Sequence, residues 1–291
     1  MDPEEAARLL IDEYSRMARV YDVHAAPRHA PLVQRVLELA ELEPGMSVID
    51  AGCGTGNLAF EAVERVGPHG LVTGIDAAHE AVLVATEKAE RRRLNNARFE
   101  AMDARRLRYE DGTFDAVLSC LGIPTVGRVE CFAEAHRVLR PGGRLVFCEW
   151  SGAGNPISKA FFDTLAKYRA ARPPIPEVAR LLEARRIINE DPGVIGMRKP
   201  EAWVQKLGEL GFREVQCLTE AHTTIFSGAE EYLSYMLAWG DNERELRSMT
   251  PEMRESFSKD LARRVEPLVT SRGIAISREA HFCMGRIPES S

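Results

Sequence analysis

Residues 48–57, VIDAGCGTGN, decide how the rest of this chain is interpreted. A short apolar run leads into three alternating glycines, Gly52, Gly54 and Gly56, and one acid, Asp50, stands two residues before the first of them. A strand that ends in a glycine turn and continues into a helix is typical of a nucleotide site, because a bare backbone lets the ligand approach closely. The stretch therefore predicts a nucleotide-type ligand at the carboxyl end of a strand.

The spacing of the glycines narrows the identity of that ligand. The dinucleotide fingerprint is G-x-G-x-x-G, whereas this chain has G-x-G-x-G, with Asn57 in the place of the third fingerprint glycine. A carboxylate at Asp50 would repel a pyrophosphate and would suit a cationic ligand. No Gly-Lys-Ser/Thr follows the turn, which excludes a P-loop. A nicotinamide oxidoreductase is therefore disfavoured, although it stays an alternative.

The sequence on both sides of the glycine turn alternates between apolar strand patterns and amphipathic helix patterns. Strands are predicted at 47–51, 71–76, 97–102, 114–121 and 144–150, and helices at 57–66, 80–94 and 129–143. Strands separated by helices of this length indicate a parallel sheet that is covered on both faces. The fold class predicted here is therefore α/β.

Four segments follow from this pattern. We expect an N-terminal helical lid at 1–29, a cofactor-binding core at 30–150, a helical substrate cap inserted at 151–198, and a completion of the sheet at 199–291 that carries its own helical insertion. The sequence PPIP interrupts the cap, and proline stiffens such a bend. We also expect the cap to supply an apolar wall made of Phe161, Phe162, Leu165, Leu181, Leu182, Ile187 and Ile188.

The stretch VIDAGCGTG resembles motif I of the class I S-adenosylmethionine-dependent methyltransferases. The resemblance is close over residues 30–150 and loose in the last helices and strand. It implies a Rossmann-like, seven-stranded, mostly parallel sheet with an antiparallel last strand, and S-adenosyl-L-methionine as the cofactor. The chain is most similar to the broad group that contains quinone-biosynthesis enzymes and enzymes acting on natural products.

The resemblance also implies which residues hold the cofactor. Asp76 ends the second strand and takes the ribose hydroxyls, while Asp103 takes the adenine amino group with Met102 beside it. Ser119 and Cys120 end the fourth strand and line the methionine side. The full set implied for the cofactor is Tyr21, Asp50, Ala51, Gly52, Cys53, Gly54, Gly56, Asp76, Ala77, Met102, Asp103, Ala104, Ser119 and Cys120.

Three residues are candidates for catalysis. His24 and His29 lie just before the core, where a lid would be, and Glu149 ends the fifth strand at the edge where such sheets bind ligands. Solvated loop histidines and a structural partner for Glu149 are the alternatives. A general base is needed only where the acceptor must lose a proton.

Charge and composition limit the partners. The formal net charge is −6, which argues against a general nucleic-acid binder. No apolar run approaches the roughly 20 residues of a membrane span, and the acidic N-terminus lacks the basic start of a signal peptide. We therefore expect a cytoplasmic protein with no membrane partner. No cysteine or histidine spacing indicates a metal, and reduced thiols are expected at Cys53, Cys120, Cys131, Cys148, Cys217 and Cys283.

The acceptor is expected to be a small molecule. The sequence after the fourth strand is SCLGIPTV, which lacks the N-P-P-Y or D-P-P-Y of nucleic-acid amine methyltransferases. A basic excess at 155–199 indicates either a solvated helical face or a polar or anionic acceptor. A methyltransferase acting on protein or RNA and a non-catalytic nucleotide-cofactor-binding protein remain alternatives. A homodimer is a further expectation, and the acceptor atom is left open among oxygen, carbon and nitrogen.

Overall fold

A computed structural model describes residues 1–123, 128–152, 154–191 and 199–289. Its centre is one sheet with the strand order β3-β2-β1-β4-β5-β8-β6, and the two-residue strand β7 pairs with β8. The strands are β1 Ser47–Ala51, β2 Leu71–Asp76, β3 Ala97–Ala101, β4 Phe114–Cys120, β5 Leu139–Trp150, β6 Arg213–Phe226, β7 Val269–Thr270 and β8 Gly273–Arg286.

Strand directions agree with the predicted fold class. Strands β1 to β5 pair in parallel, while β8 runs antiparallel to both β5 and β6. The seven long strands therefore form a mostly parallel sheet whose last strand in the chain is antiparallel. The expected α/β, Rossmann-like architecture is confirmed, with the short β7 as an addition.

Eleven α-helices cover this sheet within the described residues. They are α1 Pro3–His24, α2 Ala30–Ala40, α3 Asn57–Val66, α4 His79–Arg92, α5 Arg128–Val138, α6 Pro156–Ala171, α7 Pro176–Glu190, α8 Pro200–Glu209, α9 Ala229–Leu237, α10 Gly240–Ser248 and α11 Pro251–Val265.

Two helix predictions need correction. The helix predicted at 129–143 ends at Val138, because Pro141 and two glycines cannot extend it, and β5 begins at once at Leu139. Helix α10 was not predicted, because its sequence GDNERELRS is polar almost throughout. That helix buries charged groups, including Asp241 and Glu245, in ion pairs with other helices.

The core lies on both faces of the sheet. Phe147 of β5 packs on one face with Phe132 of α5 and Trp203 of α8. Its neighbours Val146 and Cys148 point to the opposite face, where α2 and α3 pack. The alternation of burial along β5 follows from the two-residue repeat of a strand.

The remaining helices gather beyond the end of β5. Trp150, the last residue of β5, pairs with Ala280, so the part of β8 from Gly273 to Glu279 extends past it together with the end of β6. Helices α6, α9 and α11 pack on this extension around Phe161, Tyr232 and Phe257. Helices α1 and α7 pack against each other alongside, through Leu10 and Ile188.

The cysteine prediction is wrong at two positions. Cys217 of β6 and Cys283 of β8 form a disulfide. They lie directly opposite each other in the antiparallel ladder, a register that cannot be seen in residues 66 positions apart in the sequence. Cys53, Cys120, Cys131 and Cys148 are free thiols.

Two features are absent from the described part of the chain. No helix in it is both long enough and apolar enough to cross a membrane. No group of three or more His, Cys, Asp or Glu side chains in the same residues is arranged to hold a metal ion.

Candidate active site

The glycine turn joins β1 to α3 at the carboxyl edge of the sheet. Gly52 has φ +73°, and a Cβ there would overlap the backbone of Gly122, which follows β4. The N–H groups of Gly52 and Cys53 both donate to the carbonyl of Ile75, at 2.8 and 2.9 Å. Gly54 also has a positive φ, but nothing lies within 4 Å of the position of its Cβ. One glycine is thus required by packing, and the other leaves open backbone towards a ligand.

Asp76 fixes this turn from the end of β2. One of its carboxylate oxygens accepts the N–H of Gly54 and the other accepts the N–H of Ala78, each at 2.8 Å. Burial raises the pKa of Asp76, and these N–H donors oppose the rise. Because a carboxylate offers about four acceptor sites, Asp76 keeps capacity for a diol in addition to its two backbone partners.

Asp50 is buried with neither carboxylate oxygen hydrogen-bonded to any described residue. Only 1% of the residue is exposed. Burial, and next the nearby Asp76 carboxyl, raise the pKa of Asp50 to about 8, and the backbone N–H of Ala59, which is too poorly placed for a hydrogen bond of normal geometry, opposes the rise. A cation brought into the site would favour the ionised form of Asp50 and would satisfy an acid that is otherwise costly to bury.

Asp103 follows β3 and is held by Arg105. The carboxylate accepts the backbone N–H of Arg105 at 2.9 Å and two hydrogen bonds from its guanidinium, at 3.0 and 2.8 Å. Burial opposes ionisation of Asp103, but these bonds outweigh it and lower its pKa. Arg105 also reaches Glu4 of α1 at 2.6 Å. Asp103, the acid implied for the adenine amino group, is therefore linked to the N-terminal helix through Arg105.

One cavity of about 710 Å³ connects these residues. It starts at the glycine turn and reaches the aromatic residues at the ends of β5, β6 and β8. The residues predicted from the sequence that line it are Tyr21, His29, Asp50, Gly52, Cys53, Gly54, Asp76, Ala77, Met102, Asp103, Ala104, Cys120 and Glu149.

Four of the predicted residues do not line the cavity. Ala51 ends β1 and Gly56 lies in the turn, but neither lines the cavity. Ser119 is fully buried, with its hydroxyl donating to the carbonyl of Ala51 at 2.6 Å. Ser119 thus ties β4 to β1. His24 is exposed at the end of α1.

His29 is buried in the cavity wall. Its Nδ1 lies 3.1 Å from the Tyr21 hydroxyl, while its Nε2 has no hydrogen-bond partner among the described residues. Burial, with a smaller effect of the Arg278 charge, lowers the pKa of His29 to about 4. The imidazole is therefore neutral at physiological pH and has one nitrogen available to accept a proton.

Glu149 lies at the carboxyl end of β5, in the same cavity. Its Oε1 is buried with no hydrogen-bond partner in the described residues. Burial raises its pKa to about 7, and the more distant charge of Arg128 opposes the rise. Near neutral pH, Glu149 can therefore exchange a proton.

The aromatic end of the cavity was not predicted from the sequence. It brings together four residues: Trp150 of β5, Tyr235 of α9, Trp239 between α9 and α10, and Arg278 of β8. The ring centroids of Tyr21 and Trp239 lie 5.7 Å apart, and those of His29 and Trp150 lie 6.2 Å apart. No local motif marks these residues, because the contacts depend on how distant helices pack.

The residues of the glycine-turn end fit S-adenosylmethionine. The methyl donor is a nucleoside that carries a sulfonium and an ammonium. A buried acid without a partner at Asp50, open backbone at Gly54 and an acceptor at Asp76 are the groups that a cationic nucleoside requires.

We expect Asp76→Ala to weaken the binding of S-adenosylhomocysteine about ten- to a hundredfold, because hydrogen bonds to a charged group contribute about 1.5–3 kcal/mol. Calorimetric titration measures the affinity. Asp111→Ala, at an exposed carboxylate, is the matched control and should bind like the parent. Parental affinity in Asp76→Ala would show that Asp76 only holds the turn.

We expect binding of S-adenosylhomocysteine at pH 7 to release up to one proton from Asp50. The pKa of about 8 leaves this acid mostly protonated before binding, and the ligand's ammonium favours the ionised form, so the release should fade above pH 8. Calorimetry in phosphate and in Tris measures the protons released. Asp50→Asn should abolish the release and Glu149→Gln should preserve it; equal heats in both buffers for the parent would contradict this assignment.

Comparison with known proteins agrees with this geometry. A family model described as a methyltransferase domain matches residues 42–190, about half of the chain. Nocamycin O-methyltransferase of Saccharothrix syringae is 27% identical over 285 residues, which cover 94% of this chain and 97% of that protein. A ubiquinone/menaquinone biosynthesis C-methyltransferase of Rhizobium johnstonii is 37% identical over 123 residues, which are 42% of this chain and 48% of that enzyme.

Solved structures show the same fold. The YcgJ protein of Bacillus subtilis superposes with a TM-score of 0.54 at 18% identity, covering 90% of this chain and 99% of that one. A phosphoethanolamine N-methyltransferase of Haemonchus contortus superposes with a TM-score of 0.52 at 16% identity, covering 89% of this chain and 53% of that one. The family match, the fold and the fitted site lead to one conclusion: the chain belongs to the methyltransferase-domain family and is an S-adenosylmethionine-dependent methyltransferase.

Proposed function

We propose that this enzyme transfers a methyl group to an oxygen atom of a small, largely apolar molecule bound at the aromatic end of the cavity. One observation carries the proposal: the cavity of about 710 Å³ is continuous from the glycine turn to the aromatic end. Its volume is in the range of small-molecule sites, about 300–1,000 Å³. The glycine-turn end provides for the cofactor, and the aromatic end provides for the acceptor.

The aromatic end is suited to an apolar acceptor. Trp239 packs edge-on against both Tyr21 and Tyr235, with centroid distances of 5.7 and 6.2 Å. Phe162 also lines the cavity, from α6. Such rings bury apolar surface and exclude water, and both effects favour methyl transfer.

Helices α1, α6 and α7 all contribute residues to the cavity wall, and this placement supports the proposal that they form a lid over the cavity. Of the apolar wall expected from the sequence, Phe162 and Ile188 line the cavity, whereas Phe161 and Leu165 pack between helices. Helix α1 contacts the core through a small apolar cluster, in which Ala18 packs on Ala81 and Val84, and through the exposed ion pair Arg19–Glu87. Exposed pairs of this kind contribute little stability, so the small apolar cluster is the main contact that opening of the lid would break. The sequence SGAGNP at 151–156 would serve as the hinge of this lid, but its Ala153 and residues 192–198 of the cap lie outside the described residues.

The chemistry needs little from the protein beyond positioning and one proton acceptor. When bound, S-adenosylmethionine would supply an electrophilic methyl group on a sulfonium, whose sulfur becomes a neutral thioether when the methyl group is transferred. Asp50, Asp76 and Asp103 would hold it. In the tautomer whose Nδ1–H donates to the Tyr21 hydroxyl, His29 accepts the proton of the acceptor hydroxyl at Nε2, so that the oxygen's electron pair is free to form the new C–O bond. Tyr21 orients the imidazole through Nδ1.

The relatives and the charge support a small-molecule acceptor. The name of the relative that matches nearly the whole chain gives that protein nocamycin as its acceptor and oxygen as the methylated atom. A net charge of −6 and a cavity within the fold are unfavourable for RNA or protein acceptors. A cytoplasmic location and a homodimer stay predictions.

We expect methyl-labelled cofactor to transfer its label to small phenols, enols or carboxylic acids in the presence of the enzyme, but not to bulk RNA or protein. Extraction into organic solvent separates the labelled small molecules from labelled macromolecules. Asp50→Asn and heat-treated enzyme are the controls for cofactor-dependent transfer. Label found only in RNA or protein would overturn the proposed acceptor class.

We expect His29→Asn to lower kcat about a hundredfold or more with an acceptor identified in this way, because it removes the proton acceptor. The affinity for S-adenosylhomocysteine should stay within about twofold of the parental value. His24→Asn is the matched control, since His24 is exposed and lies outside the cavity. An unchanged kcat in His29→Asn would remove His29 from the mechanism.

A further inference from the structure

We propose that Arg278 is the specificity-determining residue of the acceptor site, and that the acceptor is an organic acid whose anionic oxygen group binds to the Arg278 guanidinium. This inference rests on the proposed function, since it names the substrate class of the same site. Its basis is the placement of a cation in an aromatic cavity without a carboxylate to neutralise it.

Arg278 is positioned by β8 beyond the end of β5. It lines the cavity, and its guanidinium carbon lies 3.7 Å from the centre of the Trp150 ring. The Tyr235 side chain also interacts electrostatically with the guanidinium. The indole face holds the guanidinium, and neither the indole nor the phenol carries a negative charge.

The other basic residues near the cavity contrast with Arg278. Arg185 pairs with Asp241 at 2.5 Å, and Arg105 is neutralised by Asp103 and Glu4. Among residues 1–123, 128–152, 154–191 and 199–289, no carboxylate forms an ion pair with Arg278, and burial lowers its pKa.

The basic excess seen in the sequence at 155–199 is not the source of this charge. Its members within the described ranges pair widely with acids, for example Lys159 with Asp163, Lys167 with Asp260 and Arg169 with Glu245. That excess is mostly neutralised in ion pairs on the helices. The charge available to an acceptor comes instead from Arg278, a strand residue 79 positions beyond the end of that stretch.

A partly buried cation without a counter-charge is unfavourable, and an anionic ligand would relieve it. A guanidinium presents a planar fork of N–H donors that matches two oxygens of a carboxylate, and it also binds a phenolate or enolate oxygen. The bound cofactor adds a further positive charge to the same cavity. An anionic acceptor would therefore bind between two cations, whereas a neutral one would leave both uncompensated.

The arrangement also agrees with the state of His29. The Arg278 charge contributes to the low pKa of His29, after burial, so the base beside Arg278 is a weak one. An acidic acceptor can give its proton even to a weak base, because a positive neighbour lowers the acceptor's own pKa as well. Arg278 then holds the anion that this proton transfer leaves. His29 and Arg278 both lie close to the Trp150 ring, and they would act on the same oxygen-bearing end of the acceptor.

The test compares anions with neutral analogues of the same shape, in the presence of saturating S-adenosylhomocysteine. The pairs are 2-naphthoate with 2-naphthamide, and 4-nitrophenolate with 4-nitroanisole at pH 8. Calorimetry should show the parent binding at least one anion about ten- to a hundredfold more tightly than its neutral partner. Arg278→Met should abolish that preference while binding the neutral partner and S-adenosylhomocysteine as the parent does. The pair that shows the preference tells whether the group is a carboxylate or a phenolate.

Two further variants make the outcome decisive. Arg272→Met, at an exposed arginine just before β8, should retain the full preference. Arg278→Lys keeps the charge and should retain part of it, even if Arg278→Met disturbs the fold. No preference in the parent for either anion, or a full preference in Arg278→Met, would overturn the proposal. Failure of S-adenosylhomocysteine to bind the parent would instead count against the proposed function. The preference for anions would then be measured in the absence of S-adenosylhomocysteine.

Discussion

The site depends on how the carboxylate of Asp76 holds the glycine turn. Its two oxygens accept the N–H groups of Gly54 and Ala78, each at 2.8 Å, and so join the turn after β1 to the end of β2. Because Gly52 packs directly on the backbone of Gly122, the turn is also fixed against the loop after β4. Three neighbouring strand ends are thereby locked together, and the open backbone at Gly54 faces one direction only.

This constraint explains why a buried acid without a partner is tolerated at Asp50. The turn cannot move to cover the carboxyl group, and Asp76 lies close enough to raise its pKa further. The site is thus arranged for a cation before the cation arrives, at a cost in stability that the rest of the core must offset. Two well-packed layers, around Phe147 on one face and Val146 on the other, supply that stability.

The sequence predicts the cofactor end of the site better than the acceptor end, for a physical reason. The cofactor residues lie at or just after the ends of predicted strands, and parallel strands bring their carboxyl ends to one edge of the sheet. These residues are Gly52, Gly54, Asp76 and Asp103. Local pattern was therefore enough to group them. The acceptor end depends on the antiparallel register of β8 and on the packing of α9, which bring Arg278, Tyr235 and Trp239 to Trp150. Neither the register nor the packing has a local signature in the sequence. The same reason hid the Cys217–Cys283 pair.

The two ends of the cavity also differ in charge. The glycine-turn end carries Asp50 and Asp76, and the far end carries Arg278. A cationic donor is attracted to the first end and disfavoured at the second, so each ligand is directed to its own half by Coulomb interaction as well as by shape. Methyl transfer then removes the positive charge from the sulfur and the negative charge from an anionic acceptor in the same step. The methylated acceptor loses the charge that held it at Arg278, which favours its release, whereas S-adenosylhomocysteine keeps the ammonium that Asp50 attracts.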